Sequence, residues 1–436
     1  MEAALLIFVP KITPRISYTF SLFFNSIFYA DYKITENENE YKAYEGPKFN
    51  YSTRPIEDEN LFFYSSSLLS ETGINNQSIL VSEWNGLKIF YQVNKGVLPL
   101  DLFAASFYLV SRYEEYLAVS LDKHKRFRAN DSLAFKNQFL NLPLVNLWAL
   151  ELKKILLEKY PKLSIKENTY AAIHTVDIDI AYAHLGRTWK ITLGSYLRAF
   201  LRFDFKEIAD KTFTLIGSRK DKYDTYDYQE STFKKYSLKP IYFFLAGNRG
   251  KYDKNVSPET KRFHELIKKL ESFADIGIHP SYKSNSVPEI VEQEIKRIEN
   301  SLSTRITKSR QHFLKISLPE TYRCLTKLNI RDDYSLAYAS YPGFRASICT
   351  PFLFYDLQKE ETLPVKVHPS IVMDGTLNDY MNISTSESVF IIKDLIKKVK
   401  QCNGEFISIL HNDNLSELGR WKGWREVFEV MIKESI

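Results

Sequence analysis

The sequence predicts an α/β protein: a parallel sheet or barrel preceded by a smaller α+β part. Three observations predict it. From about residue 170 onward, short β-like runs alternate with capped amphipathic helices, the pattern of strand-helix-strand units. Before about residue 165, short apolar runs mix with two helical stretches, Leu100–Leu117 and Val145–Leu157. No fixed-period repeat or low-complexity tract occurs, which excludes solenoids and propellers. The 436 residues therefore divide into 1–165 and 166–436, with a Lys/Arg/Tyr-rich, partly helical insertion at about 185–235.

Taken in order, the first helical stretch carries Arg112-Tyr-Glu-Glu-Tyr116, whose charges could pair with Lys or Arg nearby but read first as a solvated helix face. The β-like runs are Ala171–Val176, Pro240–Leu245, Asp275–Ile278, Gln311–Ile316 and Glu405–Leu410. Between them Ser257-Pro258 opens a helix with Phe263, Leu266, Ile267 and Leu270 on one face, Pro suiting the first helical position. Ser286-Val-Pro-Glu289 reads as a capping box leading into Val291, Ile295, Ile298 and Leu302. Ser384-Thr-Ser-Glu387 is a second such box, and its helix stops near Asn403-Gly404.

Composition narrows the function classes. Hydrophobic residues are 44% and charged residues 26%, ordinary for a globular protein, and the 59 basic against 53 acidic residues form no dense block, so nucleic acid is a poor partner. Cys324, Cys349 and Cys402 are too few and too scattered for a disulfide framework or a thiolate metal site. The apolar run Ala3–Val9 is short, follows Glu2 instead of a basic region and lacks a cleavage site, and no segment approaches about 18 apolar residues. A cytoplasmic protein without stable membrane insertion is expected; the aromatic stretch Tyr18–Tyr29 is the segment whose composition would also suit an interface. Oligomeric state is not legible.

In parallel α/β architectures reactive side chains collect where strands end. Directly after, or flanking, the apolar runs lie Asp177 and Asp179, His279, Arg310 and His312, and His411. Each alone reads as an ordinary strand end. Together they place three of only eight histidines at successive sheet edges beside a carboxylate pair, and imidazole with carboxylate is the ligand chemistry of zinc and related dications.

The ordered series Thr175-Val-Asp177-x-Asp179, Asp275-Ile-Gly-Ile-His279, Arg310-x-His312 and Ile409-Leu-His411 resembles the successive motifs of the polysaccharide deacetylases, the NodB-homology or carbohydrate esterase family 4 group. It is most similar to a divergent bacterial branch with an extra N-terminal domain, which Phe103–Leu117, Asp122–Phe127 and Leu142-Pro-Leu-Val-Asn146 also resemble. The resemblance implies a distorted, partly open (β/α) barrel with a divalent metal, zinc by preference, at its mouth, removing N- or O-acetyl groups from a bacterial polysaccharide or glycan precursor. By position it implies Asp177 as catalytic base, Asp179 and His279 as metal ligands, His411 as the histidine assisting the leaving group, and Arg310 as the arginine orienting the base. Arg345, in Tyr341-Pro-Gly-Phe-Arg345, is similar to the same arginine segment; with Tyr282 it is a candidate for substrate contact.

The sequence departs from the family at two places. Ile178 separates aspartates that are adjacent in common members, and Lys283 stands where a second ligand histidine is usual. An ammonium has no lone pair to donate. The missing ligand is expected from His312, which on an extended strand would face the same side as Arg310. A catalytically silent carbohydrate-binding protein on the same barrel is the competing expectation.

Overall fold

The computed structural model describes residues 4–56, 61–117 and 119–436. Glu2 and Ala3, invoked above, lie outside them. Near the N-terminus four short strands pair in parallel in the order β2-β1-β3-β4: β1 (Leu5–Phe8), β2 (Tyr32–Thr35), β3 (Lys48–Ser52) and β4 (Leu61–Tyr64). A small antiparallel hairpin follows, β5 (Ser82–Trp84) and β6 (Leu87–Ile89). All-parallel pairing, with helices after β1 and β2, makes the main N-terminal sheet α/β in character, not the α+β arrangement expected.

The stretch Tyr18–Tyr29 is corrected too. Helix Pro14–Ser21 runs into a wider turn, Leu22–Ile27, and buries Phe20, Phe23, Phe24 and Phe28 at 0–3% exposure. Phe103 sits among Phe20, Phe23, Phe49, Tyr51 and Phe63 at ring-centroid distances of 4.9–6.0 Å. Removing such a ring costs about 3–5 kcal/mol. Of the aromatic residues in the stretch only Tyr29, at its end, is exposed; the rest are core, so it has no apolar face to offer a membrane.

The second sheet has nine strands in the order β12-β13-β11-β10-β9-β8-β7-β15-β14. They are β7 (Ala171–Ile178), β8 (Ile241–Phe244), β9 (Asp275–Ile278), β10 (Lys308–Ser309), β11 (Asp332–Asp333), β12 (Phe352–Asp356), β13 (Glu361–Val367), β14 (Val372–Met373) and β15 (Glu405–His411). Only β12 and β13 pair antiparallel. The central strands are mostly buried because both faces are covered, as parallel sheets require, and their polar residues are buried with them. In the hydrogen-bonded ladder β12 and β14 are the end strands and do not pair with each other. The sheet is nevertheless strongly curved, since His368 touches both Asp332 on β11 and Glu405 on β15, five strands apart in that order.

Register aligns the strand ends that matter: Asp177 pairs with His411 on one side and with Phe243 on the other, and Ile278 pairs with both Phe244 and Ser309. A side chain at Gly277 would meet the Phe243 ring at 2.5 Å and the Lys308 carbonyl at 2.9 Å, so only glycine lets β8, β9 and β10 approach there.

Three local expectations need correction. Ser286 does not cap: helix Pro288–Glu299 begins with Pro at its first position, which moves the cap to Val287, and the Ser286 hydroxyl meets Thr321 instead. The helix expected from Ser257-Pro258 starts at Lys261, after a turn. Gln311–Ile316 is no strand. The Gln311 N–H donates to Ser335 and Phe313 turns left-handed, so the chain leaves the sheet as a short 3₁₀ turn, His312–Leu314.

Helix Leu102–Val110 also ends early, and Arg112 with its neighbours is not solvated. Arg112, 1% exposed, pairs with Glu114 and Glu115 at 2.8 Å each, and Glu115 takes a two-pronged bond from Arg345 at 2.6 and 3.0 Å. Burial raises the Glu115 pKa, but the two guanidinium groups hold it below its ordinary value. Removing one member of such a buried set costs about 3–5 kcal/mol, because the others are left uncompensated.

At the end of the sheet opposite Asp177, where β11 and β15 begin, His368 bridges Asp332 at 3.0 Å and Glu405 at 2.8 Å. Burial opposes its charge, but the two carboxylates raise its pKa above the ordinary value. A raised histidine stabilises fully below its unfolded pKa of about 6.5, and the contribution fades as pH rises through the folded value. We expect His368→Gln to lower stability by about 2–3 kcal/mol near pH 6, by loss of charged hydrogen bonds. The difference from wild type should shrink at alkaline pH in denaturant titrations. A difference independent of pH would show that His368 is neutral in the fold.

Candidate metal centre

The sheet delivers its polar side chains from the C-terminal ends of β7, β9, β10 and β15, four of five consecutive strands in the ladder, with β8 between β9 and β7. β7 ends in Ile178, with Asp177 its penultimate residue and Asp179 just beyond. His279 follows β9, its N–H donating to the Phe244 carbonyl; Arg310 follows β10, its N–H donating to the Ile278 carbonyl. His411 is the last residue of β15. His312 arrives on the 3₁₀ turn, with its N–H on the Pro280 carbonyl.

Asp179, His279 and His312 present ligand atoms that all lie within 4.8 Å of one another. His279 Nε2 is 3.1 Å from Asp179 Oδ1 and His312 Nε2 is 3.3 Å from Asp179 Oδ2; His411 Nε2 stands 3.9 Å from the same oxygen. The other nitrogen of each ring is tied down. His279 Nδ1 donates to the Arg310 carbonyl at 2.6 Å, His312 Nδ1 meets Asp253 Oδ1 at 2.9 Å, and His411 Nδ1 meets Asp374 Oδ1 at 2.8 Å. Anchoring Nδ1 in this way fixes the ring and leaves Nε2 as the free ligand atom.

Whether these residues suit a cation is tested by Asp179 Oδ1. It is buried and has no hydrogen-bond partner among the described residues, despite the nearby imidazole. One carboxylate and two imidazoles match the N/O donor set of a catalytic zinc with an open position. The residues fit the ion. Burial disfavours charge on Asp179, yet His312 and His279 hold its pKa well below the ordinary range; burial also opposes charge on His312, but Asp179 and Asp253 lift it to about 9. An imidazole that basic must release its proton to bind metal.

Asp177 lies deeper. Its Oδ2 is 3.9 Å from His279 Nε2, and its Oδ1 is 3.4 Å from Arg310 Nε. Arg310 is fully buried, lies over the Phe243 ring at 5.0 Å and donates from Nη2 to Thr175 Oγ1 at 2.6 Å. Burial lowers its pKa, with Asp177 opposing. His411 is held well above the ordinary imidazole pKa: burial opposes the charge, but Asp374 outweighs it. Asp179 and His411, at 27% and 17% exposure, are the members of the group open to solvent.

The other expected residues fall elsewhere. Lys283 is exposed and outside the cluster. Tyr282 is half-buried on the rim, its hydroxyl 3.3 Å from His124 Nδ1 and its ring beside Tyr252 and Phe313. Arg345 lines a groove of about 540 Å³ that residues 122–130 share with 337–341 and Tyr380. Its expected substrate contact is corrected, because the guanidinium is 2% exposed and taken up by Glu115 and the Ala337 carbonyl. The groove reaches Leu314, two residues from His312, and Arg126 donates to the Phe313 carbonyl.

Asp253 and Asp374 were missed by sequence reasoning. Asp253 lies in the loop after β8, and Asp374 directly follows β14; only the second carried a signal, a carboxylate at a strand end.

Residues 5–161 match a family of unknown function, DUF7033. No curated protein matches the chain. Among solved structures it is similar to a protein assigned to the polysaccharide deacetylases from Mycobacterium smegmatis, at 12% identity over 60% of this chain and 83% of that one, with a TM-score of 0.39. It is similar to the polysaccharide deacetylase Bc1974 from Bacillus cereus at 10% identity, over 59% and 87% of the two chains, with a TM-score of 0.28. A CE4 family pseudoenzyme from Bacillus anthracis is similar at 12% identity, over 62% and 61%, with a TM-score of 0.30. Likeness at this level leaves the chemistry to be read from the site's own residues.

Proposed function

We propose that the chain is a metal-dependent hydrolase that removes N- or O-acetyl groups from a bacterial polysaccharide or glycan precursor. The observation that carries this reading is the set of three imidazoles, each anchored through Nδ1 and turned through Nε2 toward Asp179, beside a second carboxylate held by a buried arginine. Asp179, His279 and His312 would hold the ion. A bound dication supplies a water of lowered pKa and polarises an acyl oxygen.

The remaining steps belong to side chains. Asp177 accepts the proton of the attacking water at a carboxylate oxygen, and Arg310 keeps that carboxylate in place. His411, protonated and oriented by Asp374, gives its Nε2 proton to the departing nitrogen or oxygen. No covalent intermediate is required. The groove beside the His312 turn, with Tyr341 and Tyr380 among its lining, offers aromatic faces and hydroxyls to a sugar.

The test is acetate release from acetylated amino-sugar oligomers and O-acetylated glycans by protein purified without chelator. Release that stops on chelation and returns with zinc supports the reading. A chain that keeps its metal and binds sugar, yet releases no acetate from either class, is the silent carbohydrate-binding protein instead.

Asp253 supplies a narrower expectation. Outer partners of ligand histidines typically contribute 10–100-fold to metal affinity. Asp253→Ala should weaken zinc binding by about that factor in competition titrations with a chelating dye. Unchanged affinity would mean that the His312–Asp253 contact does not orient the ring.

A further inference from the structure

The helical hairpin that follows β7 exposes residues that soluble proteins bury. Helix Trp189–Leu201 has a single buried residue, Ala199. Trp189, Leu193, Leu197 and Leu201 recur every four residues, so they share one face, and they are 71, 61, 57 and 68% exposed. The corner into helix Phe205–Leu215 adds Phe200, Phe203 and Phe205 at 58, 76 and 62%. Single exposed apolar residues are ordinary, but a contiguous group of large ones marks an interaction surface.

Charge identifies what covers it. Residues 187–220 hold eight basic and three acidic residues, so most of the chain's net +6 is concentrated here. The acids are engaged locally. Asp204 caps its helix by accepting from the Glu207 N–H, Glu207 pairs with Lys222 at 2.8 Å, and Asp210 pairs with Arg219 at 2.9 Å. Lys190, Arg198, Arg202 and Lys206 form no ion pair among the described residues. A second copy of the chain would set these cations against themselves across a two-fold contact. An anionic lipid surface accepts both the apolar face and the basic flank. No helix among the described residues is long and apolar enough to cross a membrane, so the hairpin would lie in the interface.

We propose that the hairpin 189–216 docks the protein on the surface of an anionic phospholipid bilayer. The hairpin leaves β7 just past Asp179, at the sheet end that carries the metal centre, so docking holds that end near the lipid. The proposal does not depend on the hydrolase reading, and its test measures no turnover.

The full-length chain is sedimented with vesicles of phosphatidylcholine alone or mixed equally with phosphatidylglycerol. Wild type should pellet with the mixed vesicles, less so at high salt, and stay in solution with phosphatidylcholine. Arg198→Gln, Arg202→Gln and Lys206→Gln together should cut partitioning about a hundredfold, at about fivefold per basic residue. Leu197→Ser, Leu201→Ser, Phe203→Ser and Phe205→Ser together should abolish it with circular dichroism unchanged, since these side chains are exposed. Wild type left in solution with anionic vesicles, equal binding to both vesicle types, or undiminished binding by the serine variant would overturn the proposal. So would a wild-type dimer that the serine variant converts to monomer without any vesicle binding, which would assign the face to a second copy.

Discussion

Asp177→Asn is expected to keep its metal and to lose about 10²–10⁴-fold in acetate release, the usual cost of removing a positioned general base. The amide is isosteric with the carboxylate but cannot take up a proton, and it stands near His279 without belonging to the ligand group. The substitution leaves Arg310, buried beside Phe243, without its counter-charge, so some stability is lost as well. Thermal melting therefore accompanies the kinetics: a folded, metal-loaded variant with the full rate defect locates the effect in proton transfer. Turnover within a few-fold of wild type would remove Asp177 from the base role.

The second large effect concerns the ligands. Asp179→Asn, His279→Ala and His312→Ala should each reduce bound zinc from one ion per chain to a small fraction, with loss of affinity beyond the about 10–100-fold expected of an outer partner. His312→Ala is the decisive variant, because its imidazole sits 3.3 Å from Asp179 where the sequence offers Lys283 at the usual ligand position. Lys283→Ala should bind zinc as wild type does. Stoichiometric zinc in His312→Ala, measured by elemental analysis, would show that the third donor lies elsewhere.

What the sequence made legible was local. Asp275–Ile278 is a strand as read, because a short apolar run bounded by polar residues has few other ways to bury itself, and Ser384 caps its helix with Glu387 as the motif demands. The strand-end rule found Asp177, Asp179, His279 and His411 for the same reason: register in a parallel sheet brings C-terminal ends level. His312 was placed beside Asp179 by an argument from strand alternation, whereas a turn brings it there. Asp253 and Asp374 touch histidines 59 and 37 residues away, and nothing local encodes such a meeting. Arg112 and Glu115 looked solvated because charge alone does not reveal that Arg345, 230 residues from Glu115, closes over them.

That closure bears on how the molecule comes apart. Apolar residues from Leu5 to Ile432 form one continuous cluster, and Arg15–Glu360, Glu115–Arg345 and Tyr18 against Tyr355 cross from the first sheet's side to the second. Neither part can melt without stripping the other of packing and leaving buried charges alone. We expect one cooperative calorimetric transition, with equal van't Hoff and calorimetric enthalpies. The segment 166–436 expressed by itself should be insoluble, its bare β12 edge and orphaned Arg345 recruiting other chains in place of the missing part.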